Sequence, residues 1–265
     1  MFTEVLGCSR AELYLKKKRM LSRENFFRIS GALKRRISGE PIQYILGKTE
    51  FMGLEFIVTP TVLIPRPDTE ILVETTLRYA ADKVSSEKAT GLQVLDIGTG
   101  SGCIAVSLAK CLPQAQISAS DISPAALEIA RQNAKLNGVE KRINFLNCDL
   151  FPSREQRANG YDLILSNPPY IKTDVIKTLE LEVLHEPKVA LDGGEDGLDF
   201  YRRIIREAPA CLKPGGLLIL EIGFDQKKAL EKILKISQIF EVKEAVKDYN
   251  NINRVIVAGL KEMYG

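Results

Sequence analysis

The tetrapeptide Asn167-Pro168-Pro169-Tyr170 follows directly on Tyr161-Asp162-Leu163-Ile164-Leu165-Ser166, a short apolar run that reads as a buried strand. A strand of this kind delivers an amide, two prolines and an aromatic ring to one edge of a sheet, where open α/β folds place their ligands. The four residues suit the holding of a flat group that carries an NH2, so that its nitrogen can be alkylated. The Asn167 side-chain oxygen and the Pro168 carbonyl can each accept one N–H. Proline has no N–H of its own and a fixed φ, so that carbonyl is held rigidly while the Tyr170 ring can stack on the substrate plane. Pro-Pro also marks ordinary loops, and a plain turn after a strand is the competing reading.

A second constellation lies upstream. Asp96-Ile97-Gly98-Thr99-Gly100-Ser101-Gly102 ends an apolar run with closely spaced glycines, which let backbone approach a ligand at a helix N-terminus. The dinucleotide fingerprint Gly-x-Gly-x-x-Gly would need glycine at 103, where this chain has Cys103. Asp121 closes the next strand and can take two ribose hydroxyls, a placement that fits NAD and S-adenosylmethionine equally. Asp149 and Leu150 close the third strand and offer either an adenine slot or strand-end packing. Arg66 stands between two prolines in Ile64-Pro65-Arg66-Pro67. Its fork suits a carboxylate such as that of a cofactor, or the substrate backbone, and a cap or an inter-domain salt bridge is the competing reading. His185, the only histidine, reads as a surface loop residue, and Glu221 as structural at a strand end.

These residues need a scaffold, and the hydrophobic periods supply one. Strands are expected over 93–97, 116–120, 143–147, 162–166, 217–222, 240–246 and 254–259. Helices are expected up to 111 and over 124–137, 200–211 and 226–236. That alternation argues for an α/β fold with a parallel sheet covered on both faces. Lys213-Pro214-Gly215-Gly216 reads as a turn before a strand. Upstream, helical spacing runs over 11–20, 24–37 and 69–79, and two short strands meet about Gly53. The polar stretch 82–91 reads as a linker.

Composition narrows the class. The chain has 265 residues, 45% hydrophobic, enough for one sizeable core and a smaller appendage. No basic start followed by an apolar run opens it and no long apolar stretch crosses it, so it reads as cytoplasmic, with no membrane partner. Five cysteines without a Cys-x-x-Cys pair read as buried, reduced thiols rather than a disulfide framework or metal site. Residues 1–48 hold eleven Lys/Arg against four Glu, a net +7, which leaves −4 for the rest of a chain of net +3. The clusters Lys16-Lys17-Lys18-Arg19 and Lys34-Arg35-Arg36 carry most of that excess, as a contact for nucleic acid or an RNA-associated protein, or as a solvated helix face.

Taken together, the glycine loop and the Asn-Pro-Pro-Tyr tetrapeptide resemble those of class I S-adenosylmethionine-dependent methyltransferases that act on amino groups. Pro41-Ile42-Gln43-Tyr44-Ile45-Leu46-Gly47, Leu63-Ile64-Pro65-Arg66-Pro67-Asp68-Thr69-Glu70 and Asp196-Gly197-Leu198-Asp199-Phe200-Tyr201 narrow the resemblance to the HemK/PrmC family, the release factor glutamine methyltransferases, from about Leu6 to Tyr264. The resemblance implies a Rossmann-like domain with a seven-stranded, mostly parallel sheet over 91–265, a helical N-terminal substrate-binding domain over 1–48, shortened at its start, and a β-hairpin with a linker helix over 49–90. It implies methyl transfer to the glutamine of a Gly-Gly-Gln motif in class 1 peptide chain release factors, by a monomer that needs no metal. Gly98, Thr99, Gly100, Ser101 and Gly102 would hold the methionine end of S-adenosyl-L-methionine, Asp121 the ribose, Asp149 and Leu150 the adenine. Asn167 would stand at the methyl group. Asn167, Pro168, Pro169 and Tyr170 would bind and activate the amide, with Arg66 as a further substrate contact. Exocyclic-amine methylation of a nucleic-acid base is the rival activity, and a non-catalytic cofactor- or RNA-binding module the rival from another class.

Overall fold

The computed structural model describes residues 1–15, 20–85, 91–156 and 160–261. Three helices open the chain: α1 (Phe2–Leu6), α2 (Arg10–Leu15) and α3 (Arg23–Ile37). α3 begins at Ser22, whose hydroxyl accepts the Asn25 amide and so satisfies one of the open N–H groups of its first turn. The basic run 16–19 lies outside the described residues. In the other cluster, Arg35 and Arg36 pair with Glu40 and Glu182, so much of that charge is engaged within the molecule.

The string 41–47 forms α4 (Ile42–Leu46), ended by Gly47 in the left-handed region. Its Tyr44 packs with Val58, Val62 and Ile64. β1 (Lys48–Phe51) and β2 (Leu54–Ile57) then form the expected hairpin. Met52 and Gly53 both have positive φ, the conformation of a two-residue turn that matches strand twist. α5 (Pro67–Ser85) starts on a proline and runs past the expected helix end at 79, because 80–83 are helix-compatible and no glycine interrupts before 91. Of the expected linker, 86–90 lies outside the described residues.

Strands and helices then alternate through β3 (Gln93–Ile97), α6 (Cys103–Cys111), β4 (Gln116–Asp121), α7 (Pro124–Leu136), β5 (Ile143–Asn147) and β6 (Tyr161–Ser166). Short helices α8 (Thr173–Ile176) and α9 (Leu181–Leu184) precede α10 (Asp199–Glu207), β7 (Leu212–Glu221), α11 (Lys227–Ser237), β8 (Phe240–Lys247) and β9 (Asn253–Leu260). The sheet has seven strands in the order β5-β4-β3-β6-β7-β9-β8, with β9 antiparallel to both neighbours. Successive residues point to opposite faces. Val94, Leu163 and Ile219 therefore pack in one core with α5 and α6, while Leu95, Ile164 and Leu218 pack in another with α10 and α11. The residues 213–216, expected as a turn before the strand, interrupt β7 instead. Tyr161 pairs with Leu212 and Leu163 with Leu217, so these four residues bulge out of the ladder.

A buried asparagine ties the hairpin to the sheet domain. Asn133 of α7 accepts the Ile57 amide at 2.6 Å and donates to the Ile57 carbonyl at 2.9 Å and the Ser101 carbonyl at 2.8 Å. The cysteines are free thiols; Cys103 and Cys211 are buried, but Cys111, the last residue of α6, is exposed against expectation. Among the described residues no helix is long and apolar enough to cross a membrane, and no cluster of His, Cys, Asp or Glu could hold a metal.

Candidate active site

The sheet order turns at β3 and β6: the chain adds strands outward from β3 on one side, then crosses back to place β6 on the other. The carboxyl ends of these two strands frame the crevice where such sheets bind ligands. The glycine loop leaves β3 and the Asn-Pro-Pro-Tyr segment leaves β6. Ser166 binds them together by donating to the Ile97 carbonyl at 2.9 Å.

The glycine-loop side is fixed by backbone. The Gly98 and Thr99 amides both bond the Ser120 carbonyl, at 2.8 and 2.9 Å. The Gly100 amide donates to Asp121 Oδ2 at 2.8 Å, and the Ser123 amide to Oδ1 at 2.9 Å. Burial pushes the Asp121 carboxyl up, against the pull of these N–H groups. Asp96, fully buried, is pushed by burial up to about 7, although the Thr99 hydroxyl donates to it at 2.6 Å. Gly98 and Gly102 serve different ends. At Gly98 (φ 69°) a Cβ would enter open space, whereas at Gly102 (φ 81°) it would lie 3.0 Å from the Ala130 side chain. Gly102 thus lets α6 and α7 close together.

A cavity lies over this edge, lined by Gly98, Gly100, Asp121, Leu150, Asn167 and Pro168, and by Asp149 and Pro169. Thr99, Ser101 and Gly102, expected beside them, do not line it: Thr99 and Ser101 are buried, the former on Asp96. Leu150 has a left-handed backbone (φ 64°), held by the Ser120 hydroxyl on its carbonyl at 2.7 Å. Phe200, Arg203 and Ile122 also line this cavity and were missed by sequence reasoning. Arg203 pairs with Asp149 at 2.7 Å. The spacing of Phe200 and Arg203 along α10 was the available signal.

A second cavity shares Leu63, Asn167, Pro168 and Ala190 with the first, and adds Arg66, Tyr170 and Leu191. The Asn167-Pro168 segment is therefore a wall between two cavities. Arg66 donates to Glu186, whose other oxygen accepts the Ile64 amide at 3.1 Å. Burial raises the Glu186 carboxyl against this pairing. His185 stands on the neighbouring turn with Nδ1 2.8 Å from the Leu181 carbonyl, and it lines neither cavity.

The Asn-Pro-Pro-Tyr segment is held by side chains. Asn167 Nδ2 donates to Thr69 Oγ1 at 3.1 Å, which leaves Oδ1 for the cavities. Gln226 Nε2 donates to the Tyr170 carbonyl at 2.9 Å and the Gly197 carbonyl at 3.0 Å. Gly193 packs so closely that a Cβ there would lie 2.7 Å from Tyr170 Cα and 2.8 Å from the Pro169 carbonyl oxygen. Burial pushes the Tyr170 phenol far up, with Glu221 adding to the rise.

Strand order, glycine loop and facing acceptor segment together define a Rossmann-like class I methyltransferase. Residues 81–195 match the family model of the methyltransferase small domain, and residues 1–47 that of the PrmC N-terminal domain. The chain is 44% identical to the release factor glutamine methyltransferase of Geobacter sulfurreducens over 97% of its length and 86% of that protein. With the protein of that name from Moorella thermoacetica it shares 43% identity, over 87% and 79% of the two chains. The chain belongs to the release factor glutamine methyltransferase family. A methyltransferase crystal structure from Pyrococcus furiosus, 21% identical, superposes with a TM-score of 0.57 over 87% of this chain and 98% of that one, a likeness of fold.

The first cavity fits S-adenosyl-L-methionine, which a methyltransferase domain implies. Gly98 leaves open space at the loop. Asp121 keeps acceptor capacity beyond its two backbone donors, as paired hydroxyls require, and Leu150 and Ile122 supply apolar walls.

Proposed function

We propose that the protein transfers the methyl group of S-adenosyl-L-methionine to the side-chain nitrogen, N5, of the glutamine in the Gly-Gly-Gln motif of class 1 peptide chain release factors, and so modulates translation termination. The observation that carries this reading is the shared wall: Asn167 and Pro168, which can offer an amide oxygen and a carbonyl as acceptors, line both cavities. When bound, S-adenosyl-L-methionine supplies an electrophilic methyl on its sulfonium and is released as S-adenosyl-L-homocysteine. Gly98 and Gly100 admit its methionine end, Asp121 takes its ribose, and Asp149 and Leu150 border its adenine.

An amide nitrogen is a poor nucleophile because its lone pair is delocalised into the carbonyl. Asn167 Oδ1 and the Pro168 carbonyl accept its two N–H bonds and fix the amide plane, which Pro169 and Tyr170 pack. Holding the nitrogen in line replaces a chance encounter, a gain that reaches on the order of 7 to 11 kcal/mol in well-oriented reactions. The nitrogen gains the methyl and loses a proton to solvent, so no protein base and no metal enters. Arg66 borders the substrate cavity and faces the incoming peptide. The division of the chain follows the same reading. The segment 1–48, which exposes Phe26 and Phe27, grips the protein substrate, 49–90 connects, and 91–265 performs the transfer as a cytoplasmic monomer.

Transfer of radiolabelled methyl to purified, unmodified release factor tests the reading, with a Gln→Ala variant of the factor and nucleic acid as parallel acceptors. Labelling of the factor that vanishes in the variant is the expected result. Labelling of nucleic acid alone would move the activity to exocyclic amines of bases.

A further inference from the structure

A short polar chain adjoins Asn167 and has no part in the transfer as described. Asn167 Nδ2 donates to Thr69 Oγ1, and Thr69, in the first turn of α5, is itself buried. Glu221, the last residue of β7, is 1% exposed. Its Oε2 has no partner of full hydrogen-bond geometry, although the Thr69 and Tyr170 hydroxyls stand close enough to favour its charged form. Nearby Arg254 is engaged elsewhere, with Asp248 at 2.8 Å and Asp68 at 3.0 Å. A buried carboxylate without a cationic partner is costly to keep, and its position beside the amide-holding segment offers a reason.

The reason lies in proton counting. A hydroxyl has one proton, and an ionised carboxylate only accepts. With Glu221 ionised, the Thr69 proton turns to it, and Thr69 offers Asn167 nothing but lone pairs. Only the NH2 side of the Asn167 amide can then face Thr69, so the oxygen faces the substrate. With Glu221 protonated, its O–H can donate to Thr69, whose own proton is freed for Asn167 Oδ1. The amide can then flip and set its NH2 against the NH2 of the substrate, donor against donor.

We propose that Thr69 and Glu221 are positioning residues that lock the Asn167 amide with its oxygen toward the substrate nitrogen. This rests on the amide-acceptor reading of Asn167. The charged or titratable groups facing Glu221 are Asp68 of α5, Cys103 of α6, Tyr170 of the loop, Tyr201 of α10 and Arg254 of β9. Burial raises the Glu221 carboxyl to about 7; Thr69, Arg254 and Tyr170 oppose that rise and Asp68 adds to it. The lock therefore engages as pH rises through neutrality.

The test compares wild type with Thr69→Val, Thr69→Ser and Glu221→Gln in steady-state transfer to release factor across about pH 6 to 9. A second readout, free of turnover, is the side-chain NH2 resonance of Asn167 in 15N-asparagine-labelled protein without cofactor, assigned by its loss in Asn167→Ala. Wild-type kcat is expected to rise through an apparent pKa near neutrality. Thr69→Val is expected to lose about a hundredfold in kcat, as misplacement of a reacting group does, with affinity for S-adenosyl-L-homocysteine within about threefold. Thr69→Ser restores most of it. The Asn167 resonance titrates in wild type and is flat in Glu221→Gln. The proposal is overturned if Thr69→Val keeps wild-type kcat, if Thr69→Ser is as impaired as Thr69→Val, or if the resonance titrates alike in wild type and Glu221→Gln. A wild type that labels no release factor would sink the glutamine reading instead, and the resonance would still decide on the lock.

Discussion

The two edges of the cleft are held by different means. At the glycine loop most of the fixing bonds run from backbone to backbone or to Asp121, within two adjacent strand ends, and the side-chain bonds of Thr99 to Asp96 and of Asn133 to the Ser101 carbonyl add to them. At Asn167-Pro168-Pro169-Tyr170 they come from side chains far along the chain, Thr69 at 98 residues' separation and Gln226 at 56. A backbone-built edge holds its shape whatever most side chains do, which suits a binding site. A side-chain-built edge can be loosened one atom at a time, which suits the place where orientation limits the rate. Substitutions on the two sides should therefore separate affinity from turnover.

Asn167→Ala should give the largest break. Removal of a preorganised group at the reacting centre costs about 10²- to 10³-fold in kcat, and calorimetric affinity for S-adenosyl-L-homocysteine should change only modestly. Turnover equal to wild type would end the acceptor mechanism. Gly193→Ala comes next. Its Cβ would lie inside contact distance of Tyr170 and Pro169 backbone, so the segment must move, and a shift of about 1 Å can cost 10²-fold. A crystal structure of the variant should show the displaced loop, with the glycine-loop side unchanged.

On the opposite side, Asp121→Ala should raise KM for S-adenosyl-L-methionine about 10- to 100-fold, the loss of hydrogen bonds to a charged group worth about 1.5 to 3 kcal/mol. Its kcat should barely change; a fall in kcat with KM intact would erase the contrast. The last prediction concerns stability and leaves activity aside. The folded pKa of Asp96 is raised to about 7, above the value near 4 of an unfolded aspartate. The folded state thus binds more protons between those values, and stability falls as pH rises through that window and levels off above it. Thermal melting of the cofactor-free protein should show this slope from pH 5 to 7; Asp96→Asn should reduce it, and the remainder belongs to Glu221, whose carboxyl burial also raises to about 7.

Sequence alone made the backbone-built edge partly legible, because its parts are contiguous: a strand, closely spaced glycines and an acid at the next strand end. It also placed the Asn-Pro-Pro-Tyr segment and all seven strands, whose periods are long enough to read. Helices α4, α8 and α9, of five, four and four residues, show no period at all. Thr69 was in view within Arg66-Pro67-Asp68-Thr69-Glu70, but a hydroxyl has no role until its partner is known. Gln226 and Gly193 carried no signal, since both matter only through the loop packed on them. Lys213-Pro214-Gly215-Gly216 misled because turn residues also build bulges.

Asn133 carries a lesson for anyone who trims this chain. Its amide makes with Ile57 the pair of bonds that an adjacent strand would make, so the hairpin belongs to α7 as firmly as a strand belongs to its sheet. A fragment started at 91, where the strand–helix rhythm begins, would strand that buried amide without two of its three bonds and would discard Thr69. The smallest piece expected to keep a working cleft begins ahead of β1, near residue 47. Excision experiments, fusions and domain swaps should place their junction there, and a fragment started at 91 should lose turnover with Thr69 and cofactor affinity with the cavity wall of Thr61, Val62 and Leu63.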